Sequence, residues 1–217
     1  TRVKGTSIYV TGNTVIDALR TTLSPSYRFE DDTLRKIDFE RNRVVVVTAH
    51  RRENLGEPLR QICEAILHIV ERYQDVQVVY PVHRNPVVRW TVKDVLGCHP
   101  RVHLTDPLNL RDMHNLLNRS YMVMTDSGGL QEEVPSMGKP VLVLRNVTER
   151  PEGIEAGTLK LAGVKKESVV ALATELLEYP DVYSSMAQAA NPFGDGQASS
   201  RIVKAIIDYV LQRKNLS

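Results

Sequence analysis

The amino-acid sequence predicts a doubly wound α/β domain, in which helices cover both faces of a parallel sheet. Three observations lead to this fold class. Short valine-rich runs alternate with longer amphipathic segments along the 217 residues. Several runs are almost wholly apolar, as is typical of strands that are buried on both faces. The sequence contains no internal repeat, no low-complexity tract and no interior linker, which indicates one such domain.

Six apolar runs have the length and the β-branched content of strands. They are IYVT (8–11), VVVVT (44–48), VQVVYP (76–81), VHL (102–104), YMVMT (121–125) and VLVL (141–144). Because helical segments alternate with these runs, we predict right-handed strand–helix–strand crossovers and a parallel sheet.

The segments between the runs have the spacing of amphipathic helices. In 55–73, apolar residues recur at steps of three and four, and Pro58 suits the first turn because its missing N–H is not needed there. Further helices are predicted at 86–96, 110–118, 130–137, 167–178, 181–190 and 198–213.

Composition and charge exclude several classes of partner. With 42% apolar residues, 25% charged residues and a net charge of +2, the chain resembles an ordinary soluble protein. It has no basic stripe interleaved with aromatics, so no nucleic acid is predicted, and no apolar stretch long enough to span a membrane. Cys63 and Cys98 lack metal-ligand spacing and suggest no disulfide framework. We therefore predict no metal site and no cofactor, and expect a reducing cytoplasm.

Functional residues are expected in the loops that follow the strands, since ligands of open parallel sheets bind at the carboxyl ends of strands. These loops are AHRRENLG after 44–48, VHRNP after 76–81, TDPLNLRDM after 102–104, DSGGLQEE after 121–125 and RNVTERPEG after 141–144. Polar, charged and glycine residues thus gather at one edge of the predicted sheet.

The segment TDSGGLQEE (125–133) combines a glycine turn with the predicted start of a helix. Gly128 and Gly129 have no Cβ, so a ligand can approach the backbone closely, and the free N–H groups of a helix starting there favour an anion. We predict that Ser127, Gly128 and Gly129 hold a diphosphate; an ordinary tight turn is the alternative. The sequence contains neither G-x-G-x-x-G nor a P-loop motif.

Two adjacent carboxylates, Glu132 and Glu133, follow this turn. Neighbouring residues of a helix point in different directions, so at most one of them should reach a shared ligand. A carboxylate suits the two hydroxyls of a ribose, although acidic residues are also favoured near a helix N-terminus without any ligand. A nucleotide would satisfy both the glycine turn and one carboxylate.

Basic residues follow three of the strands. His50 and Arg51 lie after 44–48, where an imidazole can donate to a phosphate or transfer a proton and a guanidinium can bind phosphate oxygens. His83 occupies the equivalent place after 76–81, and Arg150 in TERPEG could close over a phosphate. A solvated basic loop is the alternative for each of these residues.

Five segments together resemble the non-hydrolysing UDP-N-acetylglucosamine 2-epimerases, in the same order and spacing over essentially the whole chain: TAHRREN, VYPVHRNP, TDSGGLQEE, GKPVLVLRNVTERPEG and NPFGDGQAS. These bacterial enzymes have the GT-B fold, with two Rossmann-type lobes that face each other across a cleft. The resemblance implies a crossover between lobes at 1–20, a UDP-binding Rossmann-like lobe at 21–197, and a C-terminal helix at 198–217 that packs on the N-terminal lobe.

The resemblance also implies an activity: UDP-N-acetylglucosamine and UDP-N-acetylmannosamine interconvert by elimination of UDP and its re-addition to a glycal, for use in a cell-envelope polysaccharide. It makes His50 the active-site histidine near the departing diphosphate, and places Arg51 and His83 at a second, activating UDP-N-acetylglucosamine. For UDP it implies that Leu108 (through its backbone) and Met113 lie beside the uracil and that Glu133 binds the ribose hydroxyls. The diphosphate would be bound by Ser127, Gly128 and Gly129, and Arg150 would contact the phosphates.

The family's first lobe, which would precede TGNTVIDAL, carries the lysine and most of the carboxylates for proton transfer at the sugar. The resemblance implies that these 217 residues do not include that lobe. Because elimination at C2 needs a base placed against the C2 proton, we expect this chain to bind UDP but not to epimerise by itself. The expected partners are UDP, a UDP-N-acetylhexosamine, the N-terminal lobe and a second copy of the protein in a homodimer.

Three other functions stay open at this point. The donor lobe of a UDP-sugar glycosyltransferase shares the fold and a similar nucleotide site, although HRRE, TERPE and NPFGDG favour the epimerase. A hydrolysing epimerase would release free N-acetylmannosamine and UDP. A non-catalytic nucleotide-binding module would describe the chain if its native start lies near Thr1.

Overall fold

A computed structural model of the chain describes residues 8–214, and in this range it has one six-stranded sheet in which all paired strands are parallel. The strands are β1 (Arg43–Thr48), β2 (Val76–Pro81), β3 (Val102–Thr105), β4 (Met122–Thr125), β5 (Val141–Val143) and β6 (Leu159–Leu161). Their order in the sheet, β3-β2-β1-β4-β5-β6, is that of the Rossmann fold. The predicted doubly wound α/β fold is therefore confirmed.

Helices connect the strands and extend beyond them at both ends of the described range. They are α1 (Thr14–Thr22), α2 (Glu57–Arg72), α3 (Pro86–Leu96), α4 (Leu110–Arg119), α5 (Gly128–Glu133), α6 (Pro151–Glu155), α7 (Lys166–Glu178), α8 (Pro180–Gln188) and α9 (Ala198–Lys214). Short 3-10 helices lie at Leu34–Lys36, Arg52–Asn54 and Val134–Met137.

The central strand β1 shows why the sheet needs helices on both faces. Val45 and Val47 lie in an apolar cluster that includes residues of α2, α3 and α7. Val44 and Val46 point to the other face, into a cluster that includes residues of α4. All four side chains are at most 1% exposed, as the alternation of a strand covered on both faces requires.

The amphipathic segment 55–73 forms α2 as predicted. The helix begins after Gly56, whose φ of +81° suits glycine, and Pro58 lies in its first turn. Its apolar stripe, which includes Ile62 and Ile66, is buried against the sheet and α7, whereas His68 is exposed on the opposite side. This packing holds the amino end of the helix, and the loop after β1, against the sheet.

One predicted strand is wrong. Residues 8–11 form no strand, and the side chains of Ile8, Tyr9 and Val10 are 62%, 56% and 97% exposed. A run of β-formers becomes a strand only when a neighbouring strand accepts its hydrogen bonds, and the described part of the chain offers it none. The predicted crossover 1–20 lies partly outside the described residues.

Apart from the 3-10 helices at Leu34–Lys36 and Arg52–Asn54, three short elements were not predicted: β6, α1 and α6. β6 contributes only three residues at the edge of the sheet, which is too short for a clear pattern. α1 does carry a recognisable signal, because Asn13 caps it by accepting a hydrogen bond from the backbone N–H of Val15 at 3.0 Å. Both ends of this helix contact the candidate site, through Asn13 and Thr22.

The first turn of the last helix, α9, is hydrogen-bonded to α1. The carboxylate of Asp17 accepts hydrogen bonds from the backbone N–H groups of Ala198 and Ser199, at 3.1 and 2.8 Å. Along the helix, Val203, Ile206 and Ile207 are each more than half exposed. The predicted packing of this apolar stripe on another lobe stays a prediction. None of the helices in the described range is long and apolar enough to cross a membrane.

Candidate functional site

The candidate site lies between the carboxyl ends of β1 and β4. These two strands are neighbours in the sheet, and the chain leaves them toward opposite edges, so the loops that follow them border a crevice. Hydrogen bonds connect the ends of the two strands. The hydroxyls of Thr48 and Thr125 lie 2.7 Å apart, and the N–H of Asp126 donates to the carbonyl of Thr48 at 3.1 Å. The HRRE and SGG segments therefore meet at one place, as the sequence predicted.

Asp126 organises the loop after β1. Its side chain is fully buried, and Oδ2 accepts hydrogen bonds from the backbone N–H groups of His50 and Arg51, at 2.7 and 2.8 Å. The side-chain amide of Asn54 adds a third bond at 3.0 Å. Three donors compensate this buried carboxylate and hold the basic loop in a defined position. Sequence reasoning gave Asp126 no role, although its place directly after β4 in TDSGG could have drawn attention to it.

The two histidines predicted at this edge are in contact. The rings of His50 and His83 are parallel within 5°, with their centroids 4.8 Å apart. The backbone N–H of Asn85 donates to Nδ1 of His83 at 3.1 Å, which orients that ring. The structure thus brings together the loops after β1 and β2.

At the glycine turn, side chains of the chain itself lie close to the backbone. α5 begins at Gly128, and a Cβ placed on that residue would lie 2.6 Å from Oε1 of Glu149 and 3.5 Å from Nη2 of Arg51. A Cβ on Gly129 would lie 3.6 Å from Oε1 of Glu133. A Cβ at position 128 would collide with the end of the Glu149 side chain, which would have to move away.

An anion already occupies that space. The carboxylate of Glu149 accepts a hydrogen bond from Nη2 of Arg51 at 3.3 Å and another from Arg145. Burial alone would raise the pKa of the Glu149 carboxyl, but hydrogen bonds and the charges of Arg145 and Arg51 outweigh it, so this pKa lies below its ordinary value. The surroundings of Gly128 therefore stabilise negative charge.

The side chain of Glu132 is 10% exposed and is held by two neighbouring side chains. It accepts hydrogen bonds from the guanidinium of Arg150 on one oxygen and from the side-chain amide of Asn13 on the other. Arg150 also donates to the carbonyl of Glu149 at 3.1 Å. Glu132 thus orients Arg150 and connects it to the cap of α1.

The carboxylate of Glu133 lies beside a buried histidine. Its Oε2 is 3.3 Å from Nε2 of His114, and Nδ1 of the same ring is 2.7 Å from the hydroxyl of Thr22 at the end of α1. His114 is 3% exposed. Sequence reasoning gave this histidine no function, because no local motif indicates which element a histidine on α4 will face.

The two residues expected beside a base lie at the start of α4. Leu108 and Met113 are half-buried and pack against the same apolar cluster as Leu116. Asn109 caps the helix between them by accepting from the backbone N–H of Asp112 at 2.8 Å. Through its contact with His114, the carboxylate of Glu133 lies against α4, the helix that Leu108 and Met113 adjoin.

Comparison with known proteins identifies the family. Residues 1–207 match the family described as UDP-N-acetylglucosamine 2-epimerase. The UDP-N-acetylglucosamine 2-epimerase of Bacillus subtilis is 53% identical to this chain, over 97% of the chain and 54% of its own length. The chain spans about half the length of the curated relatives it matches.

Solved structures agree with this result. MnaA from S. aureus, solved with UDP, superposes with a TM-score of 0.89 at 47% identity and covers 95% of this chain and 55% of its own. The UDP-GlcNAc 2-epimerase from Neisseria meningitidis, solved with UDP-GlcNAc, superposes with a TM-score of 0.85 at 41% identity. The match covers 95% of this chain and 57% of the Neisseria chain. On the family match and these identities, the chain belongs to the UDP-N-acetylglucosamine 2-epimerase family.

Proposed function

We propose that this chain binds the UDP part of a UDP-N-acetylhexosamine and serves an isomerase that interconverts UDP-N-acetylglucosamine and UDP-N-acetylmannosamine. One observation carries the proposal: an anionic group of the chain lies directly over Gly128, held by Arg51 and Arg145. A diphosphate is also an anion, so the same arginines and the glycine turn would stabilise it there. The relatives solved with UDP and with UDP-GlcNAc support this class of ligand.

In this proposal the nucleotide lies across the carboxyl ends of β1 and β4. The backbone N–H groups at the start of α5 hold the diphosphate, in the place that the carboxylate of Glu149 occupies in this structure. The ribose hydroxyls donate to Glu133, which is 14% exposed and held from behind by His114. The remaining contacts are Leu108 and Met113 at the uracil, and Ser127, Gly129 and Arg150 at the phosphates.

The proposed reaction is an elimination followed by re-addition. A base removes the proton at C2, the C1–O bond breaks, and UDP leaves with the electron pair, so that a glycal remains. UDP then adds back to C1 while a proton reaches the other face of C2. Because negative charge grows on the β-phosphate as the C1–O bond breaks, Arg150 and the N–H groups of the turn stabilise the transition state. His50 donates a hydrogen bond or a proton to the departing diphosphate.

Arg51 and His83 are proposed to contribute to a second, activating UDP-N-acetylglucosamine. The stacking of His83 on His50 supports this, because the second ligand would then contact the ring that serves the first. Calorimetric titration of the active protein with UDP-N-acetylglucosamine should show more than one ligand bound per chain. A single site there would contradict this part of the proposal.

Uridine ligands should bind in the order UDP, UMP, uridine, because each phosphate gains contacts at the position over Gly128. Calorimetric titration of the chain measures this order directly. The variant Glu149→Gln should bind UDP roughly 3–10 times more tightly, since removing an exposed competing charge is worth about 1 kcal/mol. Its affinity for uridine should be unchanged. Equal affinities of the wild type for UDP and uridine would contradict the proposed diphosphate position.

The chain alone should bind UDP without producing UDP-N-acetylmannosamine. We assign no base for the C2 proton to these residues, and elimination requires that base in place. Incubation of the purified chain with UDP-N-acetylglucosamine, followed by separation of the two epimers, tests this. Formation of UDP-N-acetylmannosamine above that of a chain-free control would contradict the expectation.

A further inference from the structure

One oxygen of the Asp126 carboxylate, Oδ1, accepts none of the three hydrogen bonds that hold the loop after β1. Whereas Oδ2 has three donors, Oδ1 is a buried oxygen without a hydrogen-bond partner among the described side chains and backbone. A buried acceptor that stays unsatisfied loses its hydrogen bonds to water without replacement, and the loss is greater when the group is charged. A native site therefore strongly favours a donor at this position.

The imidazole of His50 is the titratable donor that faces this oxygen. Its Nδ1 lies 3.7 Å from Oδ1, slightly beyond hydrogen-bond distance, so a small rotation of the ring would close the gap. The backbone N–H of the same residue is already held by Oδ2. One carboxylate thus contacts His50 at both its backbone and its ring.

Other charged groups around the ring do not compete for Oδ1. His83 contacts His50 through its face, in the parallel stack, and so leaves the ring edge with Nδ1 to Asp126. The guanidinium of Arg51 is directed to Glu149. The remaining contact of the buried carboxylate, from the amide of Asn54, is to Oδ2.

We propose that Asp126 is the positioning residue for His50: Oδ1 accepts the Nδ1–H bond of the imidazole, which fixes that tautomer and leaves Nε2 for the ligand. A carboxylate behind a histidine commonly selects the tautomer in this way and stabilises the protonated ring. The consequence of this pairing for catalysis rests on the proposed function, in which His50 serves the departing diphosphate. The pairing itself does not depend on UDP.

The test is the tautomer of His50, read from the ¹⁵N chemical shifts of its two ring nitrogens at a pH where the ring is neutral. In the wild-type chain we expect the Nδ1–H form, although the neutral ring in water favours Nε2–H. In Asp126→Asn, the three donors at Oδ2 require the amide oxygen on that side. The new amide nitrogen then faces His50 and donates to Nδ1, so the ring should switch to Nε2–H.

Two comparisons separate this role from a merely structural one. His83→Ala removes the stacked ring but not the carboxylate, so the Nδ1–H form should persist. If Asp126→Asn does not fold, the wild-type measurement still decides, because a neutral Nε2–H ring there overturns the proposal. An unchanged tautomer in a folded Asp126→Asn overturns it as well. Failure of the wild type to bind UDP would instead contradict the proposed function and leave the tautomer result intact.

Discussion

Replacing Glu133 with alanine should weaken the binding of UDP by about two orders of magnitude. In the proposed complex its carboxylate accepts hydrogen bonds from both ribose hydroxyls, and a hydrogen bond to a charged group is worth about 1.5–3 kcal/mol. A loss of about 2.8 kcal/mol corresponds to a hundredfold change in Kd. Calorimetric titration of the wild type and of Glu133→Ala with UDP measures the change.

A ligand without one hydroxyl shows whether the effect comes from the ribose. With 2′-deoxy-UDP, the wild type should lose part of its affinity, and Glu133→Ala should then cost correspondingly less than it does with UDP. Glu152→Ala removes an exposed carboxylate on α6 and serves as the control for net charge, with UDP affinity unchanged. An equal effect of Glu133→Ala on UDP and on the deoxy ligand would contradict the assignment of Glu133 to that hydroxyl.

Replacing Ile66 with alanine should lower the free energy of unfolding by about 3–4 kcal/mol, within the range seen for buried isoleucine and leucine truncations. Ile66 is 1% exposed, at the centre of the face by which α2 packs on the sheet and on α7. The surrounding side chains come from several rigid elements, so the cavity left by the substitution cannot collapse fully. Urea unfolding followed by circular dichroism gives the change from the transition midpoint, provided the slope stays constant.

The matched control lies on the same helix, two residues further along. His68 is exposed, so His68→Ala should change the free energy of unfolding by no more than about 0.5 kcal/mol. Equal effects of the two substitutions would mean that α2 is held by its own helical propensity rather than by its buried face. Such a result would contradict the packing described here.

The regular elements were largely predictable because their signals are local. The valine run of β1 and the apolar stripe of α2 are periodic patterns that depend on few neighbours, and both were confirmed within a residue or two. The exception, 8–11, shows the limit of such patterns. Its residues favour a strand as strongly as others do, but a strand also needs a partner in space.

The candidate site was predictable in its location and only partly in its contacts. Parallel strands direct their following loops to one edge, so HRRE and SGG could be placed together from order along the chain alone. The roles of Asp126 and His114 were not predictable, since each depends on which buried side chain from a distant segment lies beside it. Asp126 contacts a loop 76 residues earlier, and His114 contacts a hydroxyl 92 residues earlier.

The sequence by itself determined the fold class of this protein, the edge of the sheet at which its polar loops meet, and the family that its motifs resemble. These follow from periodicity, from glycine positions and from order along the chain. Only the tertiary structure decided that Glu132 holds Arg150, that Glu133 has His114 behind it, and that Asp126 faces His50. The reason is physical: the direction of a side chain in a crevice depends on packing between segments that are far apart in sequence.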